Sequence, residues 1–197
     1  MSQVVVHLVR HGEVHNPENI KYGRIPGFRL SERGRAQAAA AGARLRELGV
    51  SAGDALVASP LERAVETATL VGAETGQGAP ATDERVIEAT SRFDGISRYA
   101  PAWPWKWWLF YNPFRPSWGE PFTQIQARMR SAIEETRARG PRGVIVAHQG
   151  VIWIARHSYT RGGPPWCSRV RTDKASITTL HFDGDKVVAD DYWVPSV

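Results

Sequence analysis

The residues best suited to chemistry in this chain are histidines and arginines, and they come in separated groups. Arg10-His11-Gly12-Glu13 closes a short β-rich run, and His148-Gln149-Gly150 closes another, Gly143 to Ala147. Arg63 follows Ser59-Pro60 in the first turn of a predicted helix. In open α/β sheets the C-terminal ends of the strands border the ligand crevice. His11 and His148, each at such an end and just before glycine or one residue from it, therefore read as functional, whereas His7, His15, His157 and His181 read as structural. Guanidinium forks fit the oxygens of phosphates and carboxylates. Two histidines with arginines, and no acidic metal trio beside them, point to a phosphate handled without a metal.

The elements that must position these groups follow from pattern. Val4 to Val9 predicts a buried strand, and Pro17, Gly23, Pro26 and Gly27 punctuate a loop from Glu13 to Ser31. Ser31 is placed to cap a helix through Ala36, Ala40, Ala43, Leu45 and Leu48 that Gly49 ends. Asp54 to Ala58 reads as a second strand, after which Ser59-Pro60 is expected to cap and open a helix that fades at Gly76. Asp83 to Glu88 predicts a brief strand. Helices follow over Phe122 to Arg139 and Gly150 to Ser158, on either side of the strand ending at Ala147. Ser176 to Phe182 alternates, Asp183-Gly184 turns, and Val187 to Trp193 returns as its hairpin partner. This order predicts an α/β fold: one three-layer α/β/α domain over residues 1–197, with a mostly parallel central sheet and C-terminal hairpin strands.

Residues from about 92 to 119 break the pattern. Five of the eight tryptophans fall here (Trp103, Trp105, Trp107, Trp108 and Trp118), among Pro101, Pro104, Pro113 and Pro116. The stretch is too proline-interrupted for a long helix and too aromatic for a solvated linker. A lid-like insertion over a pocket mouth is expected, with Trp105 and Trp107 on the substrate side. An accessory hydrophobic mini-core, or a surface meeting a membrane or partner, would use the same residues.

Composition narrows the function classes. The chain has 197 residues and a net charge of +5, and 21 of its 25 basic residues are arginine, spread without a basic tail or zinc-finger frame. No nucleic-acid partner is expected from such a distribution. No apolar run reaches the roughly 18 residues of a spanning helix, and the start lacks a secretory pattern, so a cytoplasmic protein without stable membrane insertion is expected. Cys167 is the only cysteine, which excludes an intrachain disulfide and any cysteine cluster for zinc or iron–sulfur. No cofactor and no metal are expected, and the chain is compatible with a monomer or a homodimer.

Leu8-Val9-Arg10-His11-Gly12-Glu13, then Ser59-Pro60-Leu61-Glu62-Arg63-Ala64, Glu88, Gly119-Glu120 and Ala147-His148 resemble, in order and spacing, the histidine phosphatase superfamily, in its phosphoglycerate-mutase-like branch. The resemblance implies that branch's fold, with His11 as the nucleophile taking a phosphoryl group. It further implies that Arg10, Asn16, Arg63 and His148 bind phosphate, with His148 also counted among the catalytic residues. Glu88 falls where the branch keeps the acid that protonates the leaving oxygen and then activates water; Glu84, four residues earlier, is the alternative. Lys21, Tyr22, Arg24, Glu120 and Gln149 are substrate-side candidates. Three departures stand out. Ala89 to Gly95 lacks the usual Trp-Glu-Gly pattern, Gln149 replaces a glycine after the second histidine, and Pro121 replaces the serine of Gly-Glu-Ser. The implied activity is metal-independent hydrolysis of a small organic phosphomonoester through a phosphohistidine. Phosphoglycerate-mutase-type transfer and non-catalytic binding of a phosphate ligand are the alternatives.

Overall fold

Seven residues from Val4 to Arg10 form the first strand, β1, and their alternation sets the plan of the molecule. Val6 and Leu8 join one apolar layer and Val9 joins the other, as side chains of period two must. The computed structural model describes residues 4–97, 119–161 and 172–197. Within them α1 (Glu32–Glu47), β2 (Ala55–Ala58), α2 (Glu62–Thr75) and β3 (Ala81–Thr82) follow β1. After a 3-10 turn at Glu84–Val86 come α3 (Phe122–Ala138), β4 (Arg142–Ala147), α4 (Gln149–Thr160), β5 (Ile177–Asp183) and β6 (Lys186–Trp193).

The strands form one sheet in the order β3-β2-β4-β1-β5-β6. β3, β2, β4 and β1 are mutually parallel, while β5 and β6 add as an antiparallel hairpin. On one face Val6, Leu8 and Ile145 pack against Ile125, Met129 and Ile133 of α3 and Ile152 of α4. On the other, Val9, Val144 and Val146 meet Ala41 and Leu45 of α1 and Ala64, Ala68 and Val71 of α2. The alanines are fully buried, which lets α1 and α2 lie close together on the sheet. The three-layer α/β/α architecture expected from the strand–helix alternation is the observed one.

Two local expectations are corrected. Ser59 does not cap α2: the N-cap is Leu61, without a side-chain bond, and the Ser59 hydroxyl turns instead to His148. Asp83 to Glu88 is not a strand. Pairing with β2 ends at Thr82, and Asp83 then caps the 3-10 turn by accepting from the Arg85 amide. The tryptophan-rich stretch, including Trp105 and Trp107, lies outside the described residues. Its described flanks meet: Ser91 bridges Gly119, and Ser97 bridges Ile20.

His7 is the buried polar exception within β1. It is 2% exposed and its Nδ1 shares a 3.0 Å hydrogen bond with Thr179 Oγ1 on β5. Burial, then His181 and Arg142, lower its pKa from 6.5 to about 4. The unfolded chain therefore takes up a proton below pH 6.5 that the folded chain refuses until about pH 4. Stability is full above that window and lost as pH falls through it. From this one group the loss between pH 7 and pH 5 should be about 2 kcal/mol. Urea unfolding of the wild type and His7→Asn at both pH values should show a pH-dependent difference smaller in the variant by about that amount. An identical difference would remove His7 from the acid sensitivity.

Candidate active site

Register builds the centre of the site. Arg10 of β1 pairs with Ala147 of β4, so the next residue on each strand, His11 and His148, emerges at the same level. The His11 amide donates to the Ala147 carbonyl at 3.0 Å, and the imidazole centroids lie 5.2 Å apart. Ser59 leaves β2 beside them, its amide on the Val146 carbonyl, and its hydroxyl is 2.7 Å from His148 Nε2. Gly12 is required by what lies above it. A Cβ there would stand 2.4 Å from the Gly34 carbonyl oxygen, so the chain after His11 runs against α1. Thr67 ties the same turn to α2, accepting from the Gly12 amide at 3.1 Å and donating to the Arg63 carbonyl at 2.7 Å.

The two histidines are buried and held in defined states. His11 Nδ1 lies 2.8 Å from the Gly12 carbonyl, which can only accept, so Nδ1 carries the proton and Nε2 keeps its lone pair. Burial, reinforced by the Arg63 and Arg10 guanidiniums, holds His11 well below the ordinary imidazole range. His148 is held low by burial, then by His11 and Arg63. Both rings are thus neutral near pH 7. His148 Nδ1, Arg10 Nε and Arg63 Nε are buried and have no hydrogen-bond partner among the described residues. Such groups are costly to leave unsatisfied, and together they form a cluster suited to oxygen atoms of an anion.

The guanidiniums are fixed by other contacts. Arg10 donates to the Thr172 carbonyl at 2.6 Å. Arg63, 1% exposed, donates to the Gly23 carbonyl and lies 4.8 Å from the centroid of the Tyr22 ring. Phe28 stacks on Tyr22 with centroids 5.1 Å apart. Glu88 lines the same cavity as His11. Its Oε1 accepts from the Ala89 amide at 2.9 Å, and a Cβ on Gly150 would meet the same oxygen at 2.9 Å, so only glycine leaves this room at the start of α4. Burial pushes the Glu88 carboxyl above the usual carboxylate range, against the pull of the Ala89 amide and the Arg63 and Arg10 charges.

These side chains border a cavity of about 410 Å³. The arrangement can bind a tetrahedral anion, offer it a neutral imidazole lone pair, and present a protonatable carboxyl to its far side. The model of the histidine phosphatase superfamily (branch 1) matches residues 6–194. The chain belongs to this superfamily. It is 45% identical to Uncharacterized protein Rv0525 of Mycobacterium tuberculosis over 99% of this chain and 98% of that protein. Among solved structures, Mycobacterial hydrolase 1 superposes with a TM-score of 0.79 at 25% identity, covering 99% of this chain and 100% of that one. The mycobacterial glucosyl-3-phosphoglycerate phosphatase Rv2419c superposes at 0.74 and 25% identity, covering 98% of each chain.

Within the superfamily frame, the sequence candidates divide by position. Arg10, His11, Lys21, Tyr22, Glu88, Glu120 and Gln149 line the cavity, while His148 and Arg63 are buried beside it. Glu84 is exposed on the 3-10 turn and does not line the cavity, which separates it from Glu88. Asn16 is a loop staple: its oxygen and nitrogen both bond the Ile20 backbone, and it borders an adjoining polar groove rather than the cavity. Arg24 also lies off the lining, because its Nε holds the Glu88 carbonyl and its Nη2 holds Glu120 at 3.2 Å. Among the described residues no three His, Cys, Asp or Glu side chains converge as metal ligands, and no helix is long and apolar enough to cross a membrane.

Sequence reasoning missed Ser59 as a partner of His148, Thr67, and above all Arg128. Thr67 lies one helical turn after Arg63, a spacing that places both on one face. Arg128 offered no such signal. Its Nη1 donates to the Arg85 carbonyl at 2.6 Å and the Ile87 carbonyl at 2.7 Å, and its Nε and Nη2 hold Glu120 at 2.8 and 3.0 Å. Arg24, Glu120 and Arg128 thus form a cradle under the backbone that carries Glu88. Arg128→Leu should strand two carbonyls and remove two of the three hydrogen bonds described on Glu120, costing about 1–3 kcal/mol in urea unfolding. Arg128→Lys should recover less than half of that loss, since one ammonium cannot reach both carbonyls and the carboxylate. Full recovery by lysine would show that charge alone is needed.

Proposed function

We propose that this protein is a phosphomonoester hydrolase that works through a phosphohistidine at His11 Nε2. The observation that carries the reading is the pairing of a fixed, neutral His11 with three buried donors lacking partners: Arg10 Nε, Arg63 Nε and His148 Nδ1. Those donors match the equatorial oxygens of a transferring phosphoryl group, whose charge they stabilise. With Ser59 donating to His148 Nε2, the Nδ1 proton of His148 is directed at the anion.

In the first half-reaction the Nε2 lone pair of His11 bonds to phosphorus as the ester P–O bond breaks. The carboxylic acid of Glu88 gives its proton to the departing alcohol oxygen. In the second, the Glu88 carboxylate takes a proton from water, the resulting oxygen attacks phosphorus, and the P–N bond breaks to return neutral His11 and inorganic phosphate. A carboxyl raised by burial suits the acid role, because it stays protonated at a pH where an exposed glutamate is ionised. Similarity to a glucosyl-3-phosphoglycerate phosphatase supports hydrolysis over transfer between two hydroxyls.

His11→Ala should reduce turnover of 4-nitrophenyl phosphate by at least about 10³-fold and abolish an acid-labile, alkali-stable phosphoenzyme that the wild type forms. Near-normal turnover by the folded variant would overturn the nucleophile assignment. Glu88→Gln should slow phosphoenzyme formation far more with an alkyl phosphate than with 4-nitrophenyl phosphate, whose leaving group departs with little proton help. The wild-type rate with the alkyl ester should fall as pH rises through a pKa above the ordinary carboxylate range, and that limb should vanish in Glu88→Gln. Equal slowing with both esters would point to a different acid.

A further inference from the structure

The cavity is larger than a phosphate group needs, and its volume of about 410 Å³ lies in the range of small-molecule pockets. Its remaining space is walled by residues that the phosphate chemistry leaves unused. Phe122 and Ile125 of α3 and Trp153 and Ile154 of α4 all line it. The Phe122 and Trp153 rings meet edge to face, centroids 6.3 Å apart at 86°, and Ile125 and Ile154 are almost fully buried. Trp153 stands one helical turn after Gln149, so the helix that begins at the second histidine also carries the apolar wall.

The same cavity also has a polar edge. Lys21 Nζ donates to Ser91 Oγ at 2.7 Å and sits 5.3 Å from the centroid of Phe93. Asp94 accepts from the Arg24 amide through Oδ2, while its Oδ1 is buried without a hydrogen-bond partner among the described residues. Among the described lining residues outside the phosphate cluster, one cation, Lys21, accompanies the carboxylates of Asp94 and Glu120 beside aromatic rings, a poor seat for a second phosphate or a carboxylate. Such an anion would lose hydration against the rings and be repelled by Asp94. An apolar face would bury area on Phe122 and Trp153, and a hydroxyl or amide donor would satisfy Asp94 Oδ1.

We infer that this site selects phosphomonoesters whose leaving alcohol is uncharged, offers an aromatic or aliphatic face to Phe122 and Trp153, and carries a hydrogen-bond donor for Asp94. The inference rests on the proposed hydrolase reading. Burying or losing such a face is worth about 10- to 200-fold in discrimination.

The full-length protein would be assayed with 2-phenylethyl phosphate, glycerol 3-phosphate and 3-phosphoglycerate, three alkyl esters that differ in apolar area and charge. The expected order of kcat/KM is phenylethyl, then glycerol, then phosphoglycerate, with at least about tenfold between the first and last. Trp153→Ala, checked for an intact domain by circular dichroism and melting, should lower the phenylethyl-to-glycerol ratio by about fivefold or more. Trp153→Arg should raise kcat/KM for 3-phosphoglycerate above the wild-type value, a gain that no folding defect produces. A wild type that prefers 3-phosphoglycerate, or ratios unmoved in both variants, would overturn the inference while leaving hydrolysis in place. A wild type that turns over none of these esters, nor 4-nitrophenyl phosphate, and forms no phosphoenzyme would overturn both.

Discussion

Parallel pairing of β1 with β4 at the Arg10–Ala147 level is the constraint on which the site depends. The pairing is enforced far from the histidines, by the apolar residues that alternate along both strands. A slip of one residue would turn Val6 and Leu8 of β1 away from α3 and α4, exchanging the contents of the two apolar layers. The core that forbids this slip therefore also sets the 5.2 Å between the imidazoles. Helix α2 completes the group from β2, delivering Arg63 in its first turn, and Thr67 couples that turn to the residue after His11.

Burial then acts on the site in two directions. It lowers the pKa values of His11 and His148 and raises that of Glu88, in each case favouring the uncharged form, beside two guanidiniums. Arg10 and Arg63 keep part of their hydrogen bonding within the protein, on the Thr172 and Gly23 carbonyls, and Arg63 gains the face of Tyr22. What they leave unsatisfied points to an anion. Such donors are what a preorganised binding site for negative charge presents.

Helix α3 serves both the core and the cavity. Met129 and Ile133 anchor it on the sheet, Arg128 reaches the carbonyls beneath Glu88, and Phe122 and Ile125 form part of the cavity wall. The position of the proposed acid and the shape of the proposed leaving-group space are therefore set by one rigid element. Glu120 joins this helix to the loop after β1 through its ion pairs with Arg128 and Arg24.

Glu88 stands out in the sequence only through the family resemblance. Local pattern alone indicated most of the strands and helices, the Ser31 cap of α1, the glycine ends and Arg10, His11, Arg63 and His148 as candidates. These depend on alternation, caps and short motifs, which are readable within a few residues. Tertiary structure decided the rest. Ser59 looked like a helix cap, and besides the nearby Leu61 amide its hydroxyl meets His148, 89 positions away at the start of α4. Asp83 to Glu88 reads as extended, yet among the described residues no strand pairs with it beyond Thr82. Asn16, expected as a phosphate donor, also bonds the Ile20 backbone through its oxygen and nitrogen, a short-range contact the sequence did not announce. Arg128 and Trp153 carried no motif at all, because their roles arise only where α3 and α4 converge on Glu88. Hydrogen bonds and apolar walls of this kind join residues distant in the chain, so only the folded register brings them together.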